Sequence, residues 1–308
     1  MFDKLIFNTS GEKTEMHSLL IQSSYACSIN CSGCYLKTRE DFDSQIMMDP
    51  VVFHALLERF CDRKAFPNCW TNEITISIDC LSPKIYQRET LIKYLNIKQY
   101  SKFNNGPRIH LTANSLKELN KYPNSAEIQS AKLLSLSNIY HDDLLALRLL
   151  RNNGVRIGWN YVVPTNIESG NPKDDIEDFV KIVDEIDQVY LILQKGNVSR
   201  TTQAVKSWSK RVGLLETLPE SVTKKIILDQ CMVNALDHKM NPKLVTGCSS
   251  NISIFHVWPN GSVTGCPYKQ EKTRPADTVD GIIQNIEKAR ESWDFTNCII
   301  SKVTKETK

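Results

Sequence analysis

Three cysteines near the start of the chain, Cys27, Cys31 and Cys34, have the spacing of a metal-binding motif. They follow the apolar run 19–21, which predicts a buried strand that delivers them on a loop. Spacings of four and three residues allow a curled loop or a helical turn to present the three sulfurs on one side. A structural zinc site is closed by four protein ligands, so three thiolates favour an iron–sulfur cluster with one iron open to a substrate or cosubstrate.

This N-terminal cysteine motif resembles the CxxxCxxC signature of the radical SAM superfamily, including the small pair Ser32 and Gly33 and the aromatic Tyr35 after the last cysteine. The resemblance implies a [4Fe-4S] cluster on the three cysteines, with Tyr35 assigned to the binding of S-adenosylmethionine (SAM). The open iron would chelate the amino and carboxylate groups of SAM. An electron from the cluster would then cleave the sulfonium to a 5′-deoxyadenosyl radical. A zinc knuckle or an accidental group of thiols is the alternative.

Strand-like and helical patterns alternate along the first two thirds of the chain. The helical pattern at 142–152 opens with two acids and ends before Asn153 and Gly154, which are good start and stop signals. Six strand-then-helix units predict an α/β fold with a parallel sheet and right-handed crossovers. The predicted strands are 18–22, 73–79, 108–112, 132–137, 155–163 and 188–194, and the predicted helices are 50–63, 83–95, 142–152 and 174–186.

This order is similar to the partial (β/α)6 TIM-like barrel of the radical SAM family, in which the cluster loop follows the first strand at the carboxyl end of the barrel. The resemblance implies a barrel domain over residues 1–220, with the barrel itself at about 15–215. It also implies SAM contacts from the fourth and fifth strands, where Ser135, Ser137 and Asn160 are the candidates. The alternative is that these three are hydrogen-bonded polar groups without a ligand.

The second predicted strand departs from the family pattern. Segment 75–83 stands where the family carries a Gly-Gly-Glu-Pro-like turn that holds the SAM ammonium, and neither glycine is present. Asp79 could supply the carboxylate, with Ser77 beside it as a further SAM-binding candidate. Cys80 then falls near the expected substrate opening, where a thiol could donate a hydrogen atom to a substrate radical. The alternative is that Cys80 is a small buried residue.

The last eighty or so residues contain four further cysteines, the number that closes a cluster. Alternating apolar residues on both sides of 259–261 predict a β-hairpin, with Gly261 free to take a positive φ in the turn. The hairpin would bring Cys248 and Cys266 together, and a helical pattern at 282–293 precedes Cys298. We call this set the C-terminal cysteines: Cys231, Cys248, Cys266 and Cys298.

The segment from Cys248 to Cys266 is similar to the C-x(9–15)-G-x4-C half-motif that opens the SPASM and twitch domains of radical SAM enzymes. The other cysteines of the SPASM pattern are missing. The resemblance therefore implies a twitch-like module at 221–308, mainly at 225–300, with a small β-hairpin plus helix and one auxiliary [4Fe-4S] cluster. Cys298 is assigned as its third ligand and Cys231 as its fourth. A structural zinc on the same four thiols is the alternative.

Composition limits the class of protein. The 308 residues are 41% hydrophobic and 24% charged, which is ordinary globular usage. A net charge of +3 gives no reason to expect nucleic-acid binding. No signal peptide or membrane span is evident, so we expect a cytoplasmic protein with no membrane partner, whose ten cysteines are ligands or reduced thiols. Cys61, on the apolar face of the first helix, is predicted to be a core residue. His110, within a strand, is predicted to be a hydrogen-bonded core histidine, and the alternative is that it faces the open end of the barrel.

The resemblance implies an enzyme that receives electrons from a reductant such as flavodoxin or ferredoxin. Its substrate is predicted to be a ribosomally made peptide, modified by crosslinking, epimerisation or oxidation. The alternatives are a radical SAM dehydrogenase of a small molecule such as an aminocyclitol or sugar, and a non-enzymatic iron–sulfur electron carrier or redox sensor. Only 26 residues precede Cys27, too few for the fused recognition domain that many peptide-modifying enzymes carry. This counts against a peptide substrate without excluding it, since the recognition protein or docking surface can be separate.

Overall fold

A computed structural model describes residues 16–25, 42–61, 65, 71–77, 107–119, 133–163, 172–193, 202–206, 217–228, 231, 254–266 and 273–291. Within these ranges nine strands form one sheet. The strands are β1 (Met16–Ile21), β2 (Thr71–Ser77), β3 (Arg108–Ala113), β4 (Leu133–Leu136), β5 (Arg156–Val163), β6 (Gln188–Leu193), β7 (Ile226–Leu228), β8 (Ile254–Val257) and β9 (Val263–Thr264). The α-helices are α1 (Pro50–Cys61), α2 (Leu116–Leu119), α3 (Leu144–Asn152), α4 (Pro172–Asp184), α5 (Glu220–Thr223) and α6 (Val279–Glu291).

The strand order in the sheet is β7-β6-β5-β4-β3-β2-β1-β8-β9. Strands β1 to β7 pair with their neighbours in parallel, and β8 is parallel to β1 on the other side. Among the strands of the described residues, β8–β9 is the one antiparallel pair, and an isolated antiparallel bridge joins Ser24 to Met47. The predicted α/β class with a mostly parallel sheet is therefore confirmed, with helices between several of the strands.

One face of the sheet is apolar and packs against helices. Leu19 of β1 pairs in register with Ile74 of β2 and with Phe255 of β8, and all three are fully buried. Because side chains alternate between the faces of a strand, residues two apart continue the same layer. Apolar side chains from several helices complete this core, among them Phe53, Leu56 and Phe60 of α1, Leu147 of α3, Val183 of α4 and Ile282 of α6.

The opposite face, which we call the polar face, carries hydroxyl, amide and imidazole groups. Alternation places Thr75, His110, Ser135, Gln188 and His256 there, and all five side chains are buried. Buried polar groups of this kind are normally hydrogen-bonded to one another or to a ligand. The polar face is therefore the part of the sheet with the potential for chemistry.

The hairpin formed by β8 and β9 is an extension of the same sheet. Its turn contains Gly261 at φ +72°, as predicted from the sequence, and Gly261 N–H donates to the Trp258 carbonyl at 2.8 Å. Helix α6 holds this turn, because Asn285 Nδ2 donates to the carbonyls of Gly261, at 3.1 Å, and Arg274, at 2.8 Å. The predicted division at residue 220 stays a prediction, and β8 shares its ladder with β1.

The six predicted strands and most predicted helices are confirmed, and their ends move by at most three residues where the structure describes them. Residues 141–143 form a 3₁₀ turn before α3, with the Asp143 carboxylate accepting from Tyr140 N–H at 2.9 Å. Gly154 follows α3 with φ +86°, as the predicted stop signal requires. The predicted helix at 83–95 lies outside the described residues. None of the helices in the described part of the chain has the length and apolar character needed to cross a membrane.

Candidate functional site

Burial and backbone hydrogen bonds fix residues 22–25, the segment between β1 and the N-terminal cysteine motif. Gln22 is 3% exposed, and Ser23, Ser24 and Tyr25 are fully buried. Gln22 N–H donates to the Val257 carbonyl of β8 at 3.0 Å, and the Ser23 carbonyl accepts from Met48 N–H at 2.8 Å. The chain therefore leaves β1 between β8 on one side and the segment before α1 on the other.

Most of the predicted cluster ligands lie outside the described residues. These are Cys27, Cys31 and Cys34 of the N-terminal motif and Cys248 and Cys298 of the C-terminal cysteines, and the same holds for Tyr35, Asp79 and Cys80. Their predicted roles stay predictions. Among the residues that the structure does describe, no three His, Cys, Asp or Glu side chains come close enough to hold a metal ion.

Three polar side chains from three neighbouring strands form a chain of contacts on the polar face. His110 Nε2 of β3 lies 2.8 Å from Ser135 Oγ of β4, and His110 Nδ1 lies 3.5 Å from Glu73 Oε1 of β2. His110 is 7% exposed and Ser135 is fully buried. A neutral imidazole with its proton on Nδ1 would face the carboxylate with a donor and the hydroxyl with an acceptor. The histidine predicted to be buried thus contacts both a hydroxyl and a carboxylate.

Gly158 of β5 leaves room for side chains of the flanking strands to approach each other. A Cβ at this position would lie 2.4 Å from Ser135 Oγ and 3.4 Å from the Tyr190 ring. The rings of His110 and Tyr190 stack with centroids 5.9 Å apart, although two strands separate β3 from β6. Three steps of a flat sheet would span about 14 Å. This approach therefore requires the sheet to curve toward its polar face or both side chains to lean across Gly158.

The predicted SAM contacts Ser77, Ser135, Ser137 and Asn160 share the polar face. Ser77 ends β2, Ser137 follows β4 directly, and both are half-buried, as is Asn160. Ser135 pairs in register with Gly158, so Ser137 and Asn160 lie one layer nearer the carboxyl ends. The structure brings these four hydroxyl and amide groups to one face, while their role in binding stays a prediction. Ser135 already contacts His110.

The donor set on this face fits a polar nucleoside better than an apolar ligand, because neutral hydroxyls and amides can bond ribose and base edges. Ser23 Oγ, at the approach to the N-terminal motif, is buried without a hydrogen-bond partner among the described residues. Such an orphaned hydroxyl is a group that a buried water molecule could satisfy. The residues present are therefore compatible with SAM.

The described cysteines differ in their surroundings. Cys61 is 1% exposed in the core beside α1 residues, and burial raises the pKa of its thiol to about 12, which confirms its prediction as a core residue. Cys266 is half-buried and follows the hairpin strand β9 by two residues. Cys231 is half-buried and packs against the main core. The other two C-terminal cysteines, Cys248 and Cys298, lie outside the described residues.

Several residues of this face did not emerge as candidates from the sequence. Glu73, Tyr190 and Gln188 join the polar face through His110 and Gly158, and Trp258 joins the start of the cysteine segment to the hairpin. The available signal was the alternation of polar and apolar residues along predicted strands. It indicates which face a side chain takes but not which strands lie side by side.

Comparison with known proteins adds no assignment. No protein-family model matches this chain. A search of curated proteins also finds no match. The functional interpretation therefore depends on the motif spacing and on the geometry of the described residues.

Proposed function

We propose that the chain is a radical SAM enzyme built on a partial (β/α)6 barrel. The observation that carries the proposal is the position of the N-terminal cysteine motif. It follows β1, which has parallel neighbours on both sides, and Gln22 to Tyr25 before it are buried. Ligand sites in parallel α/β folds lie at the carboxyl ends of the strands. A three-thiolate motif at this place is best suited to a cluster that must also contact a bound cosubstrate.

Each group of residues has its own part in this proposal. Cys27, Cys31 and Cys34 would hold a [4Fe-4S] cluster, which supplies the electron for reductive cleavage of SAM when it is bound. The polar face would orient the cosubstrate through Ser77, Ser135, Ser137 and Asn160, together with Asp79 and Tyr35. The apolar face and its helices exclude water from beneath this layer. Cys80 is the proposed hydrogen donor to the substrate.

The C-terminal cysteines would hold an auxiliary [4Fe-4S] cluster in a twitch-like module. Support comes from Cys266, which lies two residues beyond β9, on a hairpin whose other strand pairs with β1. With four thiols this site would be closed, so its role would be electron transfer or shaping of the pocket and not coordination of the substrate. The proposed substrate is a ribosomally made peptide, and the proposed electron donor is flavodoxin or ferredoxin.

Metal analysis after anaerobic reconstitution tests both sites. The variant with Cys27, Cys31 and Cys34 all changed to Ala should lose about four irons and keep the iron and sulfide of the second site. Cys61→Ala is the matched control, because this buried thiol belongs to the core and its loss should leave the iron content unchanged. Iron content equal to the wild type in the triple variant would contradict the first site. Zinc or no metal in the triple variant would contradict the auxiliary cluster.

A further inference from the structure

Trp258 connects the hairpin to the segment that enters the N-terminal cysteine motif. It follows β8 directly and is fully buried. Its ring stacks on His256 with centroids 3.9 Å apart and 13° between the planes, and it contacts the Tyr25 ring at 5.9 Å. Its Nε1–H donates to Thr264 Oγ1 of β9 at 3.0 Å, which fixes the orientation of the indole. One side chain thus contacts both strands of the hairpin and the chain beyond β1.

Gln22 makes a second connection at the same place. Its Nε2 donates to the Ser24 carbonyl at 3.2 Å, so its Oε1 is the atom that faces His256 Nε2, also at 3.2 Å. An amide oxygen only accepts, and His256 therefore donates through Nε2–H. The ring that stacks on Trp258 is thus tied to the segment after β1.

These contacts form a local unit apart from the main core. Trp258 and Tyr25 make a separate apolar cluster, against which Phe42 and Ile46 pack. Their burial therefore stabilises mainly the segments that carry these four residues, and less the helix-covered face of the sheet. Tyr25 lies two residues before Cys27 in the sequence, and its burial fixes the chain just before the cysteine motif. Groups that orient metal ligands without touching the metal commonly affect affinity or activity strongly.

We propose that Trp258 is a positioning residue for the SAM site: the hairpin, through Trp258 and Tyr25, sets the geometry of the N-terminal cysteine motif toward SAM. This inference rests on the proposed radical SAM function. It gives the hairpin a role in the binding and reductive cleavage of SAM, apart from any role of an auxiliary cluster. The effect is on orientation, so it concerns the binding and cleavage of SAM more than the number of irons held.

The experiment compares matched tryptophan variants in the reconstituted full-length protein. Trp258→Leu removes the stacking ring, and Thr264→Val removes only the acceptor that orients the indole. Trp159→Leu is the control, because Trp159 is also buried but packs on Tyr161 and Phe179, at 4.8 and 5.6 Å, in the main core. Iron per chain, the KM for SAM in dithionite-driven 5′-deoxyadenosine formation and the change of the cluster EPR signal on adding SAM are measured for each.

We expect Trp258→Leu to keep wild-type iron content but to raise the KM for SAM about tenfold or more. Thr264→Val should move the KM in the same direction by less, and it decides the question if Trp258→Leu does not fold. The control should change the KM by less than about twofold. An unchanged KM in the folded Trp258 or Thr264 variants, or an equal rise in Trp159→Leu, would overturn the inference. A wild type that forms no 5′-deoxyadenosine would instead overturn the proposed function itself.

Discussion

His110 Nε2 and Ser135 Oγ lie 2.8 Å apart on neighbouring strands, at the centre of the polar face. The two residues are 25 positions apart in the sequence and meet because β3 and β4 pair in parallel, with Thr112 opposite Ser135. Glu73 lies on the other side of the imidazole, 3.5 Å from Nδ1. This arrangement connects three strands through a buried imidazole, a buried hydroxyl and a partly exposed carboxylate.

Removing either member of the His110–Ser135 pair should leave a buried polar atom without its partner. We expect His110→Leu and Ser135→Ala each to lower the free energy of unfolding by about 1–3 kcal/mol. The double variant should lose less than the sum of the two by about 1 kcal/mol, since neither orphan remains. Urea unfolding measures all four proteins of this cycle.

A control for this cycle combines Ser135→Ala with Arg148→Gln, which breaks the ion pair between Arg148 of α3 and Glu185. Arg148 is exposed, and the hydrogen bonds that it makes among the described residues go to Glu185, so the two effects should add. If the losses in the free energy of unfolding also add for His110→Leu and Ser135→Ala, the hydrogen bond between these residues contributes nothing to stability.

The course of β1 to β6 could be predicted because each strand combines an apolar run with turn or helix signals at its ends. Burial of one face by helices produces that pattern, and it is local in the sequence. The hairpin at Gly261 was equally predictable, since the turn needs a residue that tolerates positive φ. The predicted start of α3 was early, because Asp143 caps a 3₁₀ turn and not the first turn of the α-helix.

The pairing of β8 with β1 could not be predicted in the same way. More than 230 residues separate the register partners Leu20 and His256, and nothing local in either strand specifies the other. The contacts of Trp258 with Tyr25 depend on this pairing and were missed for the same reason. His110 of β3 and Tyr190 of β6 stack across the two strands between them, where Gly158 of β5 has no side chain. Periodicity alone does not encode a relationship across four strands.

Two glycines with positive φ should respond differently to substitution by alanine. Gly154, at φ +86°, has open space around the missing Cβ, so Gly154→Ala should cost only the backbone strain, about 1–2 kcal/mol. At Gly261, with φ +72°, a Cβ would lie 1.8 Å from the Ala276 carbonyl oxygen. The chain must then move as well, and we expect a loss of about 3 kcal/mol or more.

Urea unfolding followed by circular dichroism and tryptophan fluorescence measures both glycine variants. Because β8 shares a ladder with β1, Gly261→Ala should lower the stability of the whole sheet and both probes should report one transition. Equal losses for the two variants would contradict the close approach of Ala276 to the turn.

Cys61 should resist alkylation in the folded protein. Its pKa is raised by burial from 9.0 to about 12, so at pH 8 roughly one molecule in ten thousand carries the thiolate that reacts. The neutral thiol is the form that the fold favours. Its contribution to stability is therefore complete below pH 9.0 and decreases above that value as the unfolded chain ionises. Iodoacetamide labelling with peptide mass analysis should modify Cys61 only in denaturant, and rapid labelling of the native protein would contradict its burial.

We propose that Cys27, Cys31 and Cys34 hold a cluster that reductively cleaves SAM. The most direct measurement is release of 5′-deoxyadenosine by the reconstituted protein with SAM and dithionite, compared with the triple Cys→Ala variant and the Cys61→Ala control. We expect product from the wild type and from Cys61→Ala and none from the triple variant. Two results would contradict this proposal. One is the absence of product from a wild type that has its full iron content, as an electron carrier would give. The other is product from the triple variant.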